Sequence, residues 1–137
     1  MTNAPTISED PAASRPYYRL LGLRVETGMP AGHSTVRLDS RAELENSRGD
    51  VHGGVVASML DAAMGVAVRS LLVNGEGATT VSLTVNYLEP GNAPLIAKGR
   101  VVRSGRTISS AEAVVEDSSG RMVAHAMGTM RIIVRQK

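Results

Sequence analysis

The chain has no cysteine, tryptophan or phenylalanine, and only 3 of its 137 residues are tyrosine. The absence of cysteine excludes disulfides and thiolate metal sites. A pI near 9.4 could suggest nucleic-acid binding, but the formal net charge is only +2 and aromatic stacking platforms are scarce. We therefore expect no nucleic acid among the ligands of this protein.

Signals of secretion and membrane insertion are also lacking. No basic segment followed by an apolar core stands at the N-terminus, so no signal peptide is predicted. The longest apolar run, residues 55–72, contains Asp61 and Arg69 among many small side chains, which disfavours a transmembrane helix. We expect a cytoplasmic protein that does not insert into a membrane.

The composition is that of one globular domain. The chain is long enough to bury a core, with 42% hydrophobic and 20% charged residues. Residues 1–16 contain three prolines among small and polar residues, which predicts a flexible N-terminal tail. The folded domain is assigned to residues 17–137.

Residues 55–72 predict one buried helix with a narrow polar seam. At 100° per residue, the four residues Ser58, Asp61, Gly65 and Arg69 share one side, and apolar residues cover most of the remaining circumference. A carboxylate in such a helix must be paired, hydrated or functional, because burying an isolated one is costly. Asp61 is therefore the leading candidate for a catalytic residue.

Strands are predicted on both sides of this helix. Two precede it and four follow it, at residues 23–26, 34–39, 80–87, 95–103, 107–116 and 122–134. A single helix that is apolar almost all round must be wrapped by a curved antiparallel sheet. We predict an α+β fold with a curved sheet of about six strands, whose open edges favour dimerisation.

Two of these strands carry informative patterns. Residues 80–87 alternate strictly, which puts Val81 and Leu83 on one face and Thr80 on the other. In the last strand, Ala126 and Gly128 leave room for a bulky group to approach closely. The first pattern predicts the two faces of a strand, and the second predicts where something packs tightly on the sheet.

Asn46, His52-Gly53-Gly54 and Asp61, followed by four strands, resemble the motif of the hotdog-fold acyl-CoA thioesterases, and above all of the phenylacetic-acid-pathway (PaaI-like) subfamily. The resemblance extends over residues 18–134 and includes the turn at residues 104–107. It implies a dimer whose two sheets join edge to edge, often paired into a homotetramer. It also implies active sites at the subunit boundary that cleave the thioester of coenzyme A conjugates.

Matched position by position, the resemblance implies roles for the motif residues. Asn46 corresponds to an asparagine that orients water or the substrate carbonyl, and His52 to the loop histidine. Gly53 or Gly54 corresponds to the oxyanion donor at the helix start, and Asp61 to the catalytic carboxylate. Taken alone, His52 is also compatible with a hydrogen-bonded loop anchor and Asn46 with a turn residue.

Physical chemistry supports the roles of the glycines and of Asp61. Free N–H groups and the positive dipole end at a helix start stabilise a developing oxyanion, and glycine lets a carbonyl reach them. Asp61 can act as general base or as nucleophile through an anhydride, and the sequence does not choose between the two. Because it lies about 10 Å beyond Gly54 along the axis, it cannot easily serve that amide. We predict that each Asp61 faces the His-Gly-Gly segment of a partner subunit.

Two further groups complete the predicted site. Thr80 falls where the family often has a serine or threonine near the attacking water. The turn that carries Arg103, Gly105, Arg106 and Thr107 is assigned to the coenzyme A moiety, because arginine forks bind phosphate well. No metal or redox cofactor is expected, since coenzyme A is part of the substrate.

Two other functions remain as alternatives. A hydratase or dehydratase of the same fold would need a histidine and an acid at the α and β carbons; His52 and Asp61 could be recruited, but Asn46 and the glycines fit hydrolysis better. A non-catalytic acyl-CoA sensor would gain nothing from a buried acid. The sequence therefore favours an acyl-CoA thioesterase, with water as acceptor and the acyl group unspecified.

Overall fold

The computed structural model describes residues 15–39 and 41–134. In chain order the elements are α1 (Pro16–Leu21), β1 (Leu23–Val25), β2 (His33–Leu38), a 3-10 turn (Ala42–Leu44), α2 (Gly53–Arg69), β3 (Glu76–Tyr87), β4 (Leu95–Arg103), β5 (Ile108–Asp117) and β6 (Met122–Val134). The predicted tail lies outside the described residues except for Arg15 and Pro16. No helix in the described ranges is long and apolar enough to cross a membrane.

All six strands form one antiparallel sheet in the order β1-β2-β4-β5-β6-β3. The sheet is curved and is accompanied by the one long helix α2, so the predicted α+β hotdog fold is confirmed. Within the described residues β3 pairs only with β6, although it is 12 residues long. Its second edge is therefore open, and the predicted edge-to-edge dimer stays a prediction.

The core is built around α2. Ten of its 17 residues are buried, among them Met59, Leu60 and Met64, which are fully inaccessible. Burying each such side chain contributes about 1.5–3 kcal/mol, so the helix is held mainly by the sheet around it. Ser58, Asp61 and Arg69 are only partly buried, and the predicted polar seam is thus present.

Two glycines of the sheet let α2 lie close against it. A Cβ at Gly99 would lie 2.4 Å from the carbonyl oxygen of Ala63, and one at Gly128 would lie 3.0 Å from Met64 Cε. Ser34 Oγ also donates a 2.5 Å hydrogen bond to the Ala63 carbonyl. The bulky group for which Gly128 leaves room is therefore the Met64 side chain of the central helix.

The alternation predicted for residues 80–87 is wrong at its first residue. The register between β3 and β6 shifts between Thr80 and Ser82, so Val81 is an extra residue in β3. Because a one-residue bulge reverses the parity of a strand, Thr80 lies on the same face of β3 as Tyr87. Both side chains consequently point toward α2, and both take part in the site described next.

Candidate active site

Asp61 projects from the polar seam of α2 toward β3. Its Oδ1 accepts a 2.6 Å hydrogen bond from Thr80 Oγ1, and the side chain is partly buried. Asp61 forms no ion pair within the residues described by the structure. A neutral hydroxyl thus orients the carboxylate without neutralising it, and Oδ2 is left for chemistry.

Asp61 and Thr80 line a cavity of about 500 Å³ between α1, α2 and β3, which we call the acid cavity. Its other lining residues are Arg15, Pro16, Tyr17, Tyr18, Gly65, Arg69, Ala78, Thr79 and Met130. Pockets of this volume hold small organic ligands. The acid cavity is therefore large enough for an acyl group beside the carboxylate.

His52 is the N-cap residue of α2. Its backbone is extended, with φ −58° and ψ 140°, and its Nδ1 accepts a hydrogen bond of 2.9 Å from the Gly54 N–H. Its carbonyl accepts the N–H groups of Val55 and Val56. His52 thus anchors the start of the helix, as one of the two interpretations of this residue expects.

Of the first three residues of α2, Gly54 and Val55 donate their N–H groups to His52. The Gly53 N–H has no acceptor in the described part of the chain. The Gly53 carbonyl accepts a 2.7 Å hydrogen bond from Tyr87 Oη. This bond ties the residue to β3 through its carbonyl and does not use its N–H. Of the two glycines, Gly53 therefore offers the available amide for an oxyanion.

Gly53 and Gly54 line a second cavity of about 480 Å³, which we call the amide cavity. The remaining residues of its wall are Asn46, Arg48, Asp50, Val51, Val56, Tyr87, Leu88, Glu89, Pro90, Gly91 and Val123. No residue lines both cavities. The two glycines and Asp61 therefore serve separate cavities within one chain.

Asn46 borders the amide cavity and also shapes its own loop. Its Oδ1 accepts hydrogen bonds from Arg48 N at 2.9 Å and Asp50 N at 3.1 Å. The turn role is thus observed, and it fixes the side chain in place. Nδ2 has no acceptor within residues 15–39 and 41–134, so this group is still available to a ligand.

Spacing along α2 explains why one chain carries two half-sites. Gly53 and Asp61 are eight residues apart, which is about 12 Å along the helix axis. A reacting carbon should lie about 3 Å from both the oxyanion donor and the base or nucleophile. The described chain alone does not satisfy that requirement.

The turn assigned to coenzyme A lies apart from both cavities. Arg103 ends β4, and Arg106 and Thr107 are exposed before β5 begins. Glycine is required within the turn, because a Cβ at Gly105 would lie 2.0 Å from the carbonyl oxygen of Ile108. Neither arginine forms an ion pair among the described residues. Their role in binding phosphate stays a prediction.

Tyrosine is expected among the residues that line the pocket, but the contacts of the three tyrosines near the site were not predicted from the sequence. Tyr87 donates the hydrogen bond to the Gly53 carbonyl described above. Two further hydrogen bonds hold α1 against α2 at the acid cavity. One joins Tyr17 Oη and Ser58 Oγ at 2.8 Å, and in the other Arg69 Nη2 donates to Tyr18 Oη at 3.3 Å. The bonded residues are 34 to 51 positions apart in the chain. Sequence periodicity carries no signal for contacts over such separations.

Comparison of the sequence with models of known families identifies the family of this chain. A family model described as the thioesterase superfamily matches residues 48–124. The matched segment begins four residues before His52, contains both glycines, Asp61 and Thr80, and runs into β6. It therefore includes both cavity-forming parts of α2.

Individual proteins are similar over most of the chain. A Halobacterium salinarum protein with a provisional name as an esterase is 37% identical, over 82% of this chain and 81% of its own length. A thioesterase family protein from Silicibacter pomeroyi superposes with a TM-score of 0.84 at 28% identity, covering 90% of this chain and 93% of that one. A Bacillus halodurans protein whose structure was solved with CoA superposes with a TM-score of 0.70 at 33% identity, covering 72% of this chain and 66% of that one.

Proposed function

Because this chain belongs to the thioesterase superfamily, we propose that it hydrolyses acyl-CoA thioesters to a free acid and coenzyme A. The observation that carries this proposal is a Gly53 N–H that has no acceptor among the described residues, at the start of the same helix that holds the Asp61 carboxylate oriented by Thr80. The similar Bacillus halodurans protein, solved with CoA, supports coenzyme A as the thiol moiety. We further propose that the chain belongs to the PaaI-like subfamily, because its Asn46, His52-Gly53-Gly54 and Asp61 resemble the motif of that subfamily.

We propose that the complete site forms between two chains that pair through the open edge of β3. This strand borders both cavities, since Thr80 lines the acid cavity and Tyr87 the amide cavity. An antiparallel pairing about a two-fold axis sets the Thr80 end of one strand against the partner's Tyr87 end. Val81 and Tyr87 are 59% and 55% exposed in the single chain, and this pairing would bury part of that surface. Pairing of such dimers would then give a homotetramer.

The proposed reaction uses one residue from each chain at the thioester. The Gly53 N–H of one subunit would hold the carbonyl oxygen, where the positive end of the helix dipole stabilises the oxyanion. Asp61 of the other would take a proton from water as the new C–O bond forms, or attack the carbonyl itself to give an anhydride that water then opens. The C–S bond breaks and the sulfur leaves as a thiolate, which becomes the coenzyme A thiol by taking the proton that Asp61 removed from water or, in the anhydride route, a proton from water. No metal or redox cofactor enters this scheme.

Release of the thiol tests the proposed function directly. Purified protein incubated with aliphatic and aryl acyl-CoA thioesters should liberate coenzyme A and free acid in equal amounts, followed with a thiol reagent and by chromatography. A hydratase would change the acyl chain without liberating the thiol. Binding of acyl-CoA without any turnover would identify a sensor and would overturn the proposal.

The exposed arginines near the β4–β5 turn give a separate prediction. If Arg103 and Arg106 bind the phosphates of coenzyme A, replacing both with glutamate should raise KM for acyl-CoA by about tenfold or more, with a smaller fall in kcat. Steady-state kinetics at constant ionic strength provide the measurement. Arg121→Glu, on the exposed loop before β6, gives a single charge reversal elsewhere on the surface, for comparison with each single variant of Arg103 and Arg106. An unchanged KM in the double variant would remove these residues from the binding site.

A further inference from the structure

Arg69 lines the acid cavity from the same polar seam as Asp61. The side chain is partly buried, and its Nε is shielded from solvent and has no hydrogen-bond partner in the described part of the chain. Within the described residues no carboxylate pairs with it. Its one hydrogen bond, 3.3 Å from Nη2 to Tyr18 Oη, goes to a neutral group. The guanidinium is thus partly desolvated, and among the described residues its charge is offset only by the negative end of the α2 dipole and by the more distant Asp61, so it can still bind an anion.

Gly65 sets the position of this guanidinium. A Cβ at Gly65 would lie 2.9 Å from Arg69 Nη1 and 3.6 Å from its Cζ, so the guanidinium lies over the glycine. Gly65 is one helical turn beyond Asp61, which is about 6 Å along the axis. The cation therefore stands one turn away from the carboxylate, at the other end of the same cavity.

The wall between the two charged groups is apolar or small. Gly65, Ala78 and Met130 line the cavity there, and Met130 is 2% exposed. Such a wall suits a few methylene groups. The phosphates of coenzyme A do not fit this position, because the pantetheine arm separates them from the thioester by far more than one helical turn. An anionic group of the substrate that reaches Arg69 would therefore belong to the acyl chain.

We propose that Arg69 determines substrate specificity by binding a carboxylate at the far end of the acyl chain. The preferred substrates are then CoA thioesters of short dicarboxylic acids, with about three methylene groups bridging the span between the reacting carbon and the guanidinium. Tyr18 Oη accepts from Arg69 and keeps its own hydrogen to donate to the same carboxylate. Arg15, which also lines the cavity, adds a second positive charge. This inference rests on the proposed thioesterase function.

Glutaryl-CoA and pentanoyl-CoA provide the test, because their five-carbon acyl chains differ only in a terminal carboxylate or methyl group. The wild-type protein should show a kcat/KM about 10- to 100-fold higher for glutaryl-CoA, the worth of a charge-assisted hydrogen-bonded pair. In Arg69→Met the ratio of the two kcat/KM values should fall by a similar factor, and Arg69→Lys should restore part of it. Gly65→Ala, which favours the helix but displaces the guanidinium, should also lower the ratio.

Arg24→Met is the matched control. Arg24 likewise has a shielded Nε without a partner, but it pairs with Asp39 and lies outside the acid cavity, so its replacement should leave the ratio unchanged. A wild-type protein that prefers pentanoyl-CoA, or an Arg69→Met ratio equal to that of the wild type, overturns the inference alone. If no thioester is hydrolysed, the proposed function fails, and calorimetric binding of the two CoA thioesters to wild type and Arg69→Met still decides the role of Arg69.

Discussion

Replacing Asp61 with asparagine should lower kcat for acyl-CoA hydrolysis by about 10²- to 10⁴-fold, the usual contribution of a positioned general base. The change preserves size, and the asparagine Oδ1 can still accept the hydrogen bond that Thr80 Oγ1 donates at 2.6 Å. Only the basicity and nucleophilicity of the second oxygen are lost. Steady-state kinetics should therefore show a fall in kcat with a modest change in KM, and the melting temperature should stay near that of the wild type.

Thr80 offers the control for orientation of Asp61. Thr80→Ser keeps the hydroxyl that Asp61 accepts from and should retain most activity, whereas Thr80→Val removes it and should lower kcat by less than the Asp61 variant does. A single turnover in ¹⁸O-water identifies the anhydride route if label enters the Asp61 carboxylate, which happens when water opens the anhydride at the Asp61 carbonyl; general-base catalysis places the label only in the released acid. Full turnover by Asp61→Asn would contradict a catalytic role for this carboxylate.

Replacing Gly53 with proline should lower kcat by about 10²- to 10³-fold, as expected when one oxyanion donor is removed. Gly53 is the first residue of α2, a position where proline is well tolerated because its missing N–H has no helical acceptor. The preceding His52 has φ −58° and ψ 140°, the extended conformation that a residue before proline prefers. The variant therefore deletes the candidate donor and leaves the helix in place.

Gly53→Ala is the matched variant, because it adds a Cβ and keeps the N–H. That Cβ would lie 3.4 Å from the nearest ring carbon of Tyr87, an ordinary contact, so the alanine protein should retain most of its kcat. The comparison of kcat between the proline and alanine variants isolates the amide hydrogen. Equal losses in the two variants would show that the added carbon, and not the missing donor, is responsible.

A mixture of the two inactive proteins extends the prediction to the shared site. In a heterodimer of Asp61→Asn and Gly53→Pro chains, one of the two composite sites would receive both its wild-type Asp61 and its wild-type Gly53. Co-expression and purification of the heterodimer should therefore recover about half the activity of the wild-type dimer. Absence of any recovery in a verified heterodimer would place both groups in the same chain's site.

Periodicity in the sequence is sufficient to predict the central helix and the six strands. The helix predicted at residues 55–72 is observed as Gly53–Arg69, and the last strand is observed as Met122–Val134, because both patterns are long and depend on local composition. The boundaries moved where a specific contact decides them. α2 begins at Gly53 because the His52 side chain caps it, and no composition rule locates such a cap.

The candidate site was predicted less completely. Asp61 is identifiable as a carboxylate in an apolar helix, and the glycines as a helix start, because both are properties of a continuous segment. Which glycine keeps its amide depends on the imidazole of His52, whose Nδ1 occupies the Gly54 N–H. The position of the Arg69 guanidinium in the acid cavity depends likewise on Gly65, because the Arg69 side chain packs over this glycine.

The sequence by itself determined the architecture and the chemical types available on α2, since both follow from local spacing of apolar and polar residues. Only the tertiary structure decided that Thr80 meets Asp61 and Tyr87 meets Gly53. A strictly alternating strand would have turned Thr80 away from the helix. The bulge that reverses this parity arises from the register of β3 against β6, and register is set by pairing between strands that lie far apart in the chain.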